Sequence, residues 1–183
     1  MAEIAPSDLP AAVMARFTDQ DAAQAAIDTA LVAARRYCGW TVSPVVANDV
    51  VTVDGSGGQV LSLPTLNLLS VSSIDEDGIE HAAADLRVSK LGLVRKRSGG
   101  RWTSAYGAVT ATMTHGYTET EAADWRRAVI GLVDAWSQTA ARTDGELKRK
   151  KVDNVEYEWF EAQLSSDAEL SARFAQFRIL LAP

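Results

Sequence analysis

The chain changes its hydrophobic period twice, and those two changes constrain its fold more than any other feature. Up to residue 38 apolar side chains recur at helical spacing. Ala23, Ile27, Ala30, Leu31 and Ala34 fall on one face of a helix expected over 19–38. The run Arg35-Arg36-Tyr37-Cys38-Gly39-Trp40 ends it, with Gly39 where helices commonly exit through a left-handed residue. From 41 to 117 the period is two. Val51 and Val53 alternate with Val50 and Thr52, Leu61 and Leu63 with Val60 and Ser62, and Leu69 and Val71 with Ser70 and Ser72. Val109, Ala111 and Met113 alternate with Thr110, Thr112 and Thr114. Thr118-Glu119-Thr120-Glu121 then reads as a capping box that opens a helix over 119–142. Trp125, Val129, Leu132, Val133, Trp136 and Ala140 share one face of it.

This order predicts an α+β protein, a small helical bundle interrupted by an antiparallel β section. The chain is read as one domain, with 1–40 and 118–183 helical and 41–117 an inserted β subdomain. A short helix within 1–17 is capped by Ser7 or Asp8, with Pro10 in its first turn. Thr18-Asp19-Gln20-Asp21 looks like the capping box of the first long helix, whose alanine stripe suits close helix packing. Turn signals at Asp54-Gly55, Gly57-Gly58, Asp77-Gly78 and Gly99-Gly100 divide the strands. The stretch through Gly55–Gly58 and Leu61–Pro64 reads as hairpins, in a small sheet or partial barrel. Beyond 145, Lys148, Arg149, Lys150 and Lys151 precede Val155, Tyr157 and Trp159, which alternate with Glu156 and Glu158 as in an exposed strand. Such a strand seeks a partner on a neighbouring subunit. Ser166-Asp167-Ala168-Glu169 opens a terminal helix over 166–181 with Leu170, Phe174, Phe177 and Leu181 on one face.

The chemistry of catalysis is not evident. His81 and His115 lie in separate segments without a second His or Cys at ligand spacing, and both read as polar surface or edge positions. Neither Gly55-Ser56-Gly57-Gly58 nor Ser98-Gly99-Gly100 leads into Lys-Ser/Thr and a helix, so neither is a phosphate loop. Cys38, at the negative pole of a helix, reads as a half-buried structural thiol. Asp75, Glu76 and Asp77 read as a solvated turn. No nucleophile is paired with a base. We therefore expect no enzyme, no cofactor and no metal.

With one cysteine, no intrachain disulfide can form. No apolar run has membrane-spanning length, and the first residues lack a secretion signal. The expected setting is a cytoplasm, or an assembly built there, without a membrane partner. A net charge of -6 gives no general hold on nucleic acid. Two basic clusters stand against that balance: Lys148–Lys151, and Arg87, Lys90, Arg95, Lys96, Arg97 and Arg101. They are either solvated loop charge or contacts to an acidic surface, of another subunit or of DNA. Trp102 and Tyr106 beside the larger cluster can stack on bases or fill the sheet core, and the core is the preferred reading.

Three segments carry a resemblance: Arg35–Trp40, the run from Leu61 to Gly78, and the strand Val109–Glu119 that leads into the long helix. In this order they resemble the head-to-tail connector (adaptor) proteins of long-tailed double-stranded DNA phages, in the variety seen in actinobacterial phages. The resemblance covers about 19–180. Shorter members of the family are nearly all helical, so the strand section counts as an insertion. The resemblance implies a structural virion protein, assembled in the bacterial cytoplasm and resident in the neck. It implies a ring of twelve copies under the portal protein, extending the channel through which double-stranded DNA passes without tight binding. The ring presents a surface to the next neck or tail-completion protein. On that reading Lys148, Arg149, Lys150, Lys151, Val155, Tyr157 and Trp159 form one subunit interface. The other lies on the alanine face of the first helix or the outer face of the second. Phe174, Phe177, Arg178 and Leu181 grip the portal. The alternative is a small soluble binding module whose basic sheet face, through Arg95, Lys96, Arg97, Arg101 and Trp102, takes a nucleic acid or a protein partner.

Overall fold

Gly39 adopts φ +81°, and its N–H donates to the carbonyls of Arg35 (2.8 Å) and Arg36 (3.2 Å), closing the first long helix as its sequence position requires. The computed structural model describes residues 3–143 and 168–179. The chain is α+β and divides into two compact units, a helical one of residues 3–39, 121–143 and 168–179 and a β unit of residues 40–120.

The helical unit opens with a 3-10 turn at Pro6–Asp8, followed by α1 (Ala11–Met14) and α2 (Gln20–Cys38). The one short helix expected before residue 17 is thus split. Pro10 can begin a helix but has no N–H with which to continue one. Asp19, not Thr18, caps α2: its carboxylate accepts the Ala22 N–H at 2.7 Å. α3 (Ala123–Thr143) begins four residues later than expected, because 119–122 form a turn. α4 (Ala168–Ala175) ends well before 181. Its chain leaves the helix so that the Ile179 N–H can donate to the Cys38 carbonyl at 2.9 Å, satisfying the end of α2.

Ala23, Ala30, Ala33 and Ala34 of α2 are fully buried, so small side chains let α2 and α3 approach closely. Trp125, Val129, Leu132 and Val133 of α3 fill the core. Phe174 of α4 meets Trp125 edge-on at 5.5 Å and Tyr37 at 6.4 Å. At the other end Phe17 stacks on Trp136 at 6.0 Å.

The β unit holds seven strands: β1 (Val46–Val53), β2 (Leu61–Ser62), β3 (Leu68–Glu76), β4 (Ile79–Ala82), β5 (Leu86–Val88), β6 (Leu93–Lys96) and β7 (Val109–His115). They form two antiparallel sheets, β1-β7-β3-β4 and β2-β6-β5. The hairpin expected through Gly55–Gly58 does not form. β1 pairs with β7 and β2 with β6, so that segment carries the chain from one sheet to the other. The hairpin at Asp77-Gly78 does form. Both residues have positive φ (51° and 83°), the two-residue turn whose twist suits adjacent strands. Alternation then decides what is buried. Leu61, Leu86, Val94 and Trp102 from the smaller sheet's side share one core with Val71, Ile74, Val109, Ala111 and Met113 from the larger sheet. Two antiparallel sheets around a common core stand where the turn spacing predicts one small antiparallel sheet or a partial barrel.

Candidate functional site

The residues named from the sequence fall into three groups. Lys148, Arg149, Lys150, Lys151, Val155, Tyr157, Trp159 and Leu181 lie outside the described residues. Of the others, Phe174 is completely buried against Trp125 and Tyr37. Phe177 is half-buried, edge-on to Trp125 at 5.6 Å. Arg178 is exposed, its guanidinium 4.7 Å from the Tyr37 ring centre. A surface formed there is made by Arg178 and the rim of Phe177, with Phe174 holding the helix in place beneath.

The third group is in the β unit, where the structure corrects three readings, and a fourth correction falls on Cys38 of the helical unit. Glu76 is not part of a solvated turn. It lies on the inward face of β3, where its carboxylate pairs with Lys96 and accepts the Thr103 N–H at 2.6 Å. His81 Nε2 lies 3.0 Å from the same carboxylate. Burial pushes the Glu76 carboxyl up, but the Lys96 ammonium, the Thr103 N–H and His81 together hold it below its ordinary value of 4.5. The turn reading missed this because alternation along β3 carries on through Asp75 and turns Glu76 to the core.

His115 is the second correction. It is 2% exposed on the inner face of β7, with Nε2 3.0 Å from the Asp49 carboxylate, rather than a surface position. The third is Tyr106, which is 90% exposed and fills no core, whereas Trp102 does, as preferred from the sequence. The fourth is Cys38, fully buried rather than half-buried; desolvation drives its thiol up to about 12, against a smaller opposing effect of Arg178. That thiol is chemically quiet. Among the described residues no three His, Cys, Asp or Glu side chains stand together as a metal site. No helix there is long and apolar enough to cross a membrane.

The basic cluster divides. Lys96 points inward to Glu76 and lies 4.6 Å above the Trp102 ring. Arg97 donates to the Leu86 carbonyl and Arg101 to that of Gly57. Arg87 and Arg95 face outward, directly opposite each other on β5 and β6. Trp102 and Lys96 lie inside, so of the two aromatic residues beside the cluster Tyr106 alone is on the surface.

Sequence reasoning missed where the exposed apolar side chains gather. Among the described residues, the large exposed hydrophobics are Val50, Val60, Leu69, Ile79, Val88, Leu91, Leu93 and Tyr106, and every one is in the β unit. Val50 and Val60 were visible in the sequence as off-face members of alternating runs, but alternation alone cannot say which set is buried. The charges of the unit are also sorted. β1, β3, β4 and β7 contain Asp49, Asp75, Glu76 and Glu80 and no Lys or Arg, while the cations lie on β5, β6 and their flanking loops.

No family model and no curated protein matches the chain. Six solved chains match its fold. One of them is a chain from the neck of an empty GTA particle computed with C6 symmetry. Its TM-score is 0.56 at 15% identity, and the match covers 100% of this chain and 95% of that one. At such identity the likeness is one of fold.

Proposed function

We propose that this chain is a structural neck protein, a head-to-tail connector that joins a DNA-filled head to a tail. The observation that carries the reading is the two-way coverage of the fold match: the whole of this chain corresponds to nearly the whole of a neck chain. The order of elements that resembles phage connectors points the same way. The large exposed apolar residues of the described chain all lie in the β unit, which makes that unit the place to look for contact with another protein.

In this proposal twelve subunits form a ring beneath the portal, extend the DNA channel and receive the next neck or tail-completion protein. A twelvefold ring is compatible with the sixfold symmetry used for the neighbour's neck. A net charge of -6 keeps passing DNA from adhering to the ring. The portal grip is assigned to the surface around Arg178 and Phe177. The segment from Lys148 to Trp159 is assigned to a neighbouring subunit. The actinobacterial variety rests on the resemblance of Arg35–Trp40 and the two strand segments alone.

The test is the content and fate of particles. Mass spectrometry of purified virions should find the protein at a fixed ratio to the portal. Deleting its gene should leave filled heads and free tails. Intact, infectious particles lacking the protein would overturn the reading.

A further inference from the structure

Two like-charged pairs sit on opposite outer faces of the β unit. Arg87 of β5 lies directly across from Arg95 of β6, and Asp75 of β3 lies directly across from Glu80 of β4. All four side chains are exposed. Like charges directly opposite on a sheet destabilise it, so each pair costs the isolated unit something. Among the described residues no ion pair relieves any of the four; Arg95 donates only to the Gln59 side-chain oxygen and Asp75 accepts only the Gly78 N–H. The strand registers fix their direction. Leu86 and Val94 point to the shared core, so Arg87 and Arg95 point away from it. Ile74 also points to the core, so its neighbour Asp75, with Glu80 opposite it, points away on the other side.

We propose that the outer face of the three-stranded sheet docks on the outer face of the four-stranded sheet of a second copy, setting Arg87 and Arg95 against Asp75 and Glu80. Charge complementarity commits the face to this occupant. One unit carries both halves of the match on opposite sides, as a head-to-tail contact requires, and such contacts repeat around a ring. Exposed apolar residues accompany both pairs, Leu93 and Val60 on the basic face and Val50 on the acidic one. A phosphate backbone has no use for those, whereas a protein interface buries them. The proposal rests on the connector reading for the closure of the ring, but it is tested separately from it.

The full-length protein is followed by sedimentation velocity over a concentration range at low and high salt. Wild type should self-associate, more weakly as salt rises. The double variants Arg87→Glu/Arg95→Glu and Asp75→Lys/Glu80→Lys should each associate about tenfold more weakly or worse. Mixed one to one, the two should associate again, because each now offers two faces of one sign to a partner offering the other. That rescue also certifies that both variants fold. If either charge-reversed variant is unfolded by circular dichroism, Arg87→Gln/Arg95→Gln and Asp75→Asn/Glu80→Gln replace them. These should melt no lower than wild type, since repulsion is removed, yet still associate more weakly. A wild type that stays monomeric throughout, or variants that associate as wild type does, would overturn the proposal. So would a basic face whose reversal abolishes only binding to a duplex DNA fragment. Presence of the protein in virions would leave the connector reading standing in each of those cases.

Discussion

Lys96 of β6 pairs with Glu76 of β3, so one buried ion pair bridges the two sheets of the β unit. Neither partner is left with unmet bonding. Glu76 takes the Thr103 N–H as well, and the Lys96 ammonium donates to the Arg101 carbonyl and lies over the Trp102 ring. A charge pair placed this way is poor evidence for large net stability, but removing half of it is costly, since the survivor remains largely shielded from water. The pair therefore fixes how the two sheets face each other, and with them the directions in which the outer residues point.

Replacing Glu76 by Gln keeps the shape and removes the charge. We expect Glu76→Gln to lose about 3 kcal/mol in urea unfolding, because the Lys96 ammonium is stranded. Adding Lys96→Met should recover part of that loss. A Glu76→Gln variant within about 0.5 kcal/mol of wild type, the range of ordinary surface changes, would show that the pair is not a closed site.

The same carboxylate sets an acid dependence. Glu76 is held below its ordinary 4.5 in the folded chain, so the unfolded chain takes up a proton first as pH falls. The contribution of Glu76 is present above the ordinary value and lost as pH descends through the depressed folded one. Asp134, lowered chiefly by its hydrogen bond to Arg16, adds in the same direction from the helical unit. Melting temperature should hold from neutrality to about pH 5 and then fall. The difference between wild type and Glu76→Gln should shrink over the acid range. A constant difference down to pH 3 would contradict the depressed value.

The sequence showed most where a single local rule decides. The Gly39 exit, the Asp77-Gly78 turn and the inner faces of α2 and α3 were legible because backbone sign and helical period act within a few residues. It misled where tertiary partners decide. The burial of Glu76 depends on Lys96 and Thr103, twenty or more residues away, and that of His115 on the strand pairing of β7. The assignment of β1 and β2 to different sheets depends on β6 and β7, which the glycine-rich turn between them cannot reveal. The two like-charged pairs became visible only with the register, since residues 87 and 95, or 75 and 80, carry no mutual mark in a linear chain.

Cys38 offers a clock for opening of the helical unit. A buried thiol raised to about 12 has almost no thiolate at pH 8. Disulfide-exchange reagents such as DTNB should leave it unlabelled in the native protein and label it fully in denaturant. The native labelling rate should rise in step with variants that weaken α2 packing. Rapid native labelling would mean that α2 and its neighbours open far more readily than their burial implies.

The terminal helix separates support from contact. Phe174 is completely buried between Trp125 and Tyr37, so Phe174→Ala should cost about 3–5 kcal/mol of stability. Any loss of docking in that variant then follows from loosening of α4 and says nothing of direct touch. Arg178 is exposed, and Arg178→Ala gives up a cation–π contact with Tyr37 worth about 0.5–1 kcal/mol at such a site. Its melting temperature should therefore lie within a few degrees of wild type. If the connector grips the portal here, Arg178→Glu should abolish docking on portal-bearing filled heads while Arg178→Lys retains part of it. Pull-down of the variants on such heads, read beside their thermal melts, distinguishes the cases. Docking by Arg178→Glu at the wild-type level would move the portal contact away from the segment that follows α4, because a reversed charge at the centre of an interface cannot be silent.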